Sequence, residues 1–179
     1  MIRAAGLLAA SAVVAGLLAA CIDLPRYAAL HMPSHVEGLP ADGSWTALPL
    51  RAWLAEGEVR AEAVSACLDP CTPRVAVGVF SATGAQAKAL SAALRDPDRL
   101  ARALERPTRP ERPRSRAQAE RLSGPIPGFA LTLSRSDGTR PVHARILARG
   151  ADPLRFVLAV GDDPETVARL ATEAAAALR

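Results

Sequence analysis

Residues 128–147 constrain the fold more than any other stretch of the chain. Asp137-Gly138 is the signature of a two-residue type I′ hairpin turn, and alternating apolar and polar residues flank it on both sides. Pairing outward from that turn sets Leu133 opposite Val142, Leu131 opposite Ala144 and Phe129 opposite Ile146, all on one face. Thr132, His143, Ala130 and Arg145 take the other face. Strand side chains alternate with a period of two, so a one-residue slip would scatter the apolar face; the pattern therefore sets the register.

The neighbouring segments extend this unit. Leu154–Val160 reads as a third strand after the turn signal Gly150-Ala-Asp-Pro153. A closing helix follows, with Asp163 as cap, Pro164 in the first turn, and Val167, Leu170, Ala174 and Leu178 along one side. Upstream, Arg74–Phe80 is apolar on both faces and rich in valine, the mark of an interior strand. It leads through Ser81-Ala-Thr into a helix from about Gly84, with Leu90 and Leu94 on its apolar stripe. Asp96-Pro97 then reads as a new cap and first turn, with Leu100 and Leu104 continuing the stripe.

Between Leu48 and Ala66 the pattern predicts a broken helix. Pro49 suits a first turn, Trp53 and Leu54 follow, and Gly57 interrupts. Val59, Ala63, Ala66 and Cys67 then fall on one helical face, with a strand as the competing assignment. From Arg106 the chain runs RPTRPERPRSR, with proline at 107, 110 and 113. That spacing favours extended polyproline II and forbids a helix, so 106–125 is expected to be an Arg/Pro-rich loop. The order is helix, strand, helix, long loop, three strands, helix. It is best met by an α+β, two-layer domain with an antiparallel sheet and helices packed on one face.

The amino-terminal segment speaks of location. Arg3 precedes an uncharged run from Ala4 to Ala20, and the stretch ends in Leu18-Ala19-Ala20-Cys21. A positive start, a short apolar core and a small-residue cleavage site are the parts of a secretory signal peptide. The cysteine directly after the small pair resembles the lipobox of bacterial lipoproteins. That resemblance implies diacylation of Cys21, removal of residues 1–20 and acylation of the new amino terminus. The alternative, a retained transmembrane helix, is poorly served by a 17-residue run about half of which is Ala or Gly. Residues 21–44 mix Pro, Gly, His and acidic residues without periodicity and read as an extended tether. Residues 45–179 are then a single domain. Ile22 is not the aspartate that retains enterobacterial lipoproteins at the inner membrane, so the resemblance implies an outer membrane, facing the periplasm.

Charge adds little to this. The chain has 22 Lys+Arg against 18 Asp+Glu, and aromatic residues make up 3%. An exported chain so poor in stacking side chains is not expected to bind nucleic acid. The expected partners are the membrane, through the anchor, and an envelope protein or an anionic lipid or polymer.

With Cys21 acylated, Cys67 and Cys71 remain as an even pair in an oxidising compartment and read as a structural disulfide. Their CxxxC spacing is similar to the copper-binding motif of Sco-like copper chaperones, which implies a rival role in thiol redox or copper handling. Only the cysteines match, and in that family the strand comes before them and the helix after. His31, Met32 and His35 could supply metal ligands, but Pro33 prevents a helix that would align them, and no metal or cofactor is expected. Thr83-x-x-Gln86 matches a capping box, which would consume the helix N–H groups that could otherwise hold an anion. The five arginines of 106–116 could dock on phosphate-bearing lipids, although a solvated loop explains them as well. His143 is the only histidine in the predicted domain, and there is no nucleophile elbow or placed acid pair. The expectation is a lipid-anchored envelope protein of binding or scaffolding type, not an enzyme. The alternatives are a thiol or copper protein and a lipid- or polymer-binding accessory of envelope transport or assembly.

Overall fold

The computed structural model describes residues 35–41, 44–48, 59–68, 71–105 and 115–178. Seven strands form one sheet: β1 (Thr46–Ala47), β2 (Val59–Cys67), β3 (Val75–Ala82), β4 (Ser115–Leu122), β5 (Gly128–Arg135), β6 (Val142–Arg149) and β7 (Leu154–Gly161). Their order is β1-β2-β3-β7-β6-β5-β4, and every neighbouring pair is antiparallel. Helices α1 (Gly84–Arg95) and α2 (Pro97–Leu104) carry the chain from the centre of the sheet to its far edge at β4. The strands then return as a meander, and α3 (Pro164–Ala176) follows β7.

The α+β class and the antiparallel sheet match the expectation; the packing of helices on one face does not. Side chains from the two faces of β3 enter separate cores. Ala76, Phe80 and Ala82 join Leu90 of α1 and Ala101 of α2, whereas Val75, Val77 and Val79 join Val167, Leu170 and Ala174 of α3. β7 divides in the same way, Phe156 and Leu158 against Val157 and Ala159. Central strands that are apolar on both faces require cover on both, so the domain has three layers. Phe80 and Phe156 are direct cross-strand partners and stack with ring centroids 5.2 Å apart.

The predicted hairpin register is observed pair for pair. Its turn differs. Gly138 has φ +75° but no non-glycine among the described residues, Asp137 included, has positive φ, which excludes type I′, where both central residues need it. Gly138 N–H instead donates to the Arg135 carbonyl at 3.4 Å, and Asp137 accepts from the N–H and the hydroxyl of Thr139. The β5–β6 ladder stops at Leu133–Val142, beyond which the Arg135 carbonyl is taken by the Gly138 N–H of the turn. Asp96 and Asp163 cap α2 and α3 as expected, accepting from Arg99 N–H at 3.2 Å and Thr166 N–H at 2.7 Å.

Three further expectations are corrected. Residues 59–67, read as helical, form β2, which carries a bulge between Ala61 and Ala63. Ser115–Leu122, assigned to the Arg/Pro-rich loop, is the edge strand β4, while 106–114 lie outside the described residues. Part of the expected tether is packed on the domain: Val36 is 4% exposed and its N–H donates to the buried Ser65 hydroxyl at 3.0 Å. Gly38 lies against the α3 backbone at Glu173, where a Cβ would come within 2.8 Å of the carbonyl oxygen.

Candidate functional site

The α3 side of the sheet is not covered evenly. α3 packs over β6, β7 and β3 and makes no comparable contact with the outer strands β5 and β4, where Leu122 and Ile126 join the same core at one end. On that outer half the register sets the side chains in rows. Gln118, Thr132 and His143 form one row across β4, β5 and β6, ending at Gly161 of β7. Glu120, Ala130 and Arg145 form the next row, ending at Ala159. The reverse side of the same strands presents Phe129, Leu131, Ala144 and Ile146 to the α1–α2 core. One hairpin thus builds both the core and a polar shelf, because its alternation is strict.

The shelf is half-buried at its centre and exposed at its edge. Thr132, His143 and Arg145 are half-buried, while Gln118 and Glu120 are exposed. Thr132 Oγ1 and His143 Nδ1 lie 3.2 Å apart and share a hydrogen bond. At the shelf's inner margin is the α3 cap. The Asp163 carboxyl is held below the usual carboxylate range, chiefly by the Thr166 N–H, then by the Thr166 hydroxyl, with a smaller contribution from His143. Arg145 Nε is buried and has no hydrogen-bond partner.

Chemically this arrangement suits recognition. The histidine's hydrogen bond is to a mid-strand threonine, with no carboxylate hydrogen-bonded to its ring among the described residues. A cation and amide, hydroxyl and imidazole groups are what the shelf offers. A second concavity, of about 280 Å³, lies between α2 and β4, its lining including Asp98, Arg102, Glu105, Ala117, Ala119 and also Gln118 of the edge strand. Glu105 also accepts the Ala117 N–H at 3.0 Å, which occupies part of the exposed edge of β4.

The other sequence candidates are dispersed. Cys67 and Cys71 come together, with Cα atoms 5.6 Å apart and their sulfurs at bonding distance. Cys67 is only 2% exposed, at the end of β2. Cys21, His31 and Met32 lie outside the described residues, and His35 is exposed. Among the described residues no three His, Cys, Asp or Glu side chains gather as a metal site. The Thr83 half of the capping box is not observed: Thr83 makes no side-chain cap bond, and the Gly84 N–H is met at 3.3 Å by the Asp152 carboxylate. Of the five arginines of 106–116, only Arg116 falls on a described element, β4. His143 and Arg145 were placed on the polar face of the hairpin by its alternation. Gln118 and Glu120 were missed, because β4 has no pattern of its own to read.

No protein-family model and no curated protein matches the chain. Among solved structures the chain is similar to LpqN of Mycobacterium tuberculosis, a protein described as involved in cell envelope biogenesis. The two are 15% identical, the match covers 81% of this chain and 84% of that one, and the TM-score is 0.34. A likeness of that size carries no argument about this chain's fold or function.

Proposed function

We propose that the chain is a lipid-anchored protein of the cell envelope that acts by binding rather than by catalysis, using the polar shelf of β4, β5 and β6. The observation that carries the anchoring is the position of Cys21, directly after Ala19-Ala20 at the end of an uncharged apolar run. Two or three acyl chains hold a protein on a bilayer stably, since each buried CH₂ contributes about 0.8 kcal/mol. No helix among the described residues is long and apolar enough to cross a membrane. Ile22 after the cysteine favours the outer membrane, with the domain in the periplasm.

A binding role is supported by what the shelf offers and by the hydrogen bond that ties His143 to Thr132. The cysteine pair is read as a staple between β2 and the turn before β3, since a thiol as shielded as Cys67 is poorly placed to take up copper or exchange with a partner. Replacing Cys21 by serine tests the anchor. Loss of acyl labelling together with release from the membrane fraction is the expected result. Unchanged labelling and fractionation would contradict it.

A further inference from the structure

Among the described residues six arginine side chains have an evident partner, and six others, Arg60, Arg99, Arg102, Arg116, Arg121 and Arg140, are exposed. Arg74 pairs with Asp162, Arg135 with Asp137, Arg155 with Glu62 and Arg169 with Glu173. Arg149 donates to the Leu178 carbonyl and Arg95 to that of Ser91. Arg145 differs: it is half-buried, its Nε is out of contact with solvent, and that atom donates to nothing. Exposed arginines without partners are solvated and ordinary. A guanidinium partly withdrawn from water with a donor unmet is costly, and such groups usually have a counter-ion or ligand.

The surroundings say what would fit. Arg145 is flanked across the strands by Ala130 and Ala159, so no side chain of bulk stands directly beside it. α3 covers the Ala159 side, while Ala130 is half-buried on a strand that α3 does not cover to a comparable extent. His143 and Leu147 are its neighbours along the same face of β6. Glu120 lies in the same row beyond Ala130, about 10 Å from Arg145 by the spacing of two strands, and makes no ion pair with it. Asp163, the cap of α3, is engaged with the Thr166 N–H.

We propose that Arg145, with His143 and Thr132 beside it, is an anion-recognition site over Ala130 that takes a singly charged oxyanion. The fork of a guanidinium matches both a carboxylate and a phosphodiester. Glu120 on the far side of the alanine disfavours multiply charged anions and favours a ligand with a cationic or hydrogen-donating group next to its anion. This proposal rests on the reading of the shelf as the binding surface and is independent of the anchor.

The test is a titration of the full chain, extracted with its anchor in detergent, with acetate and separately with dimethyl phosphate at constant ionic strength. The Arg145 Nε–H and the His143 ring are followed by NMR. Both signals are expected to move and saturate, with acetate and dimethyl phosphate separating a carboxylate ligand from a lipid-like phosphodiester. Arg145→Gln is expected to weaken binding roughly tenfold, as loss of a charge-assisted hydrogen bond does. Glu120→Gln is expected to strengthen it a few-fold, roughly the effect of removing a like charge at this separation. Arg116→Gln, an exposed cation on the same face, should leave it unchanged. Signals unmoved by either anion would overturn the proposal, as would Arg116→Gln weakening binding as much as Arg145→Gln does. Should Arg145→Gln fail to fold, the gain in Glu120→Gln decides, and its absence counts against the site. Failure here with intact acyl labelling would remove the ligand class and leave the anchoring standing.

Discussion

Glu62, at the bulge in β2, reaches past β3 to clasp Arg155 of β7: its Oε1 accepts from Nε at 3.1 Å and its Oε2 from Nη2. The clasp answers a local conflict. Arg155 is the direct cross-strand partner of Arg149, and like charges in that position destabilise a sheet. The carboxylate of Glu62 holds the Arg155 guanidinium above its ordinary pKa, through the hydrogen bond first and its charge second.

Glu62→Gln is therefore expected to cost about 1 kcal/mol, the lower range for a charge-assisted pair, because both side chains are about a third exposed and water screens them. A double-mutant cycle with Arg155→Gln, read by urea denaturation, should return most of that loss as coupling. Additive losses would show that the clasp does not stabilise the sheet.

The same bulge explains the largest misreading from sequence. Val59 and Ala61 face the α1–α2 core, and after the bulge so do Val64 and Ala66, so the period-two pattern changes phase within one strand. The small residues Ala63, Ala66 and Cys67 then fit a helical spacing equally well. β4 was illegible for another reason: only Ala117 and Ala119 face the α1–α2 core, Leu122 alone reaches the α3-side core, and the other residues are those of an exposed edge beside a proline-rich run. The hairpin was legible because Phe129, Leu131 and Leu133 alternate strictly, and that alternation also put His143 and Arg145 together on the polar face. Which face each helix covers was not written in any local pattern. The doubly apolar residues 75–80 did carry the hint that both faces need cover.

Two glycines should respond very differently to substitution. Gly138 has φ +75° with no atom within 4 Å of where a Cβ would stand, so Gly138→Val suffers only the conformational penalty, about 1–2 kcal/mol. A Cβ on Gly128 would overlap the Ile146 carbonyl oxygen and crowd Leu147, so Gly128→Ala should cost more, on the order of 3 kcal/mol. Equal losses in thermal or chemical melts would contradict the close approach of β5 and β6 at that point.

Acid should loosen the fold through its caps. Asp163 and Asp137 both have carboxyls held below the ordinary range, Asp163 first by the Thr166 N–H and Asp137 first by the Thr139 hydroxyl. A carboxylate depressed in the folded state contributes stability that is present above its unfolded pKa, about 4, and is lost as pH falls through the folded value. Melting temperature should thus be insensitive to these groups between pH 5 and 8 and fall below about pH 4. Asp163→Asn keeps a capping oxygen but cannot titrate, so its drop between pH 7 and pH 3 should be smaller. An unchanged drop would remove Asp163 from the account.

If the cysteine pair is a staple, purified protein should show no free thiol at Cys67 or Cys71 without reductant. Replacing both with serine should cost about 2 kcal/mol by the chain-entropy model, and more if the shielded site of Cys67 accepts a hydroxyl poorly. In cells that loss should appear as reduced abundance. A double variant with normal abundance and a copper-handling or thiol-oxidation defect would favour the redox alternative.

The most direct test of the central claim is the intact mass of the protein extracted from membranes of the producing cell. The account predicts a chain that begins at Cys21 and carries a thioether-linked diacylglyceryl group and an amino-terminal acyl chain. A mass showing that residues 1–20 are retained, or a mature chain without lipid on Cys21, would contradict it.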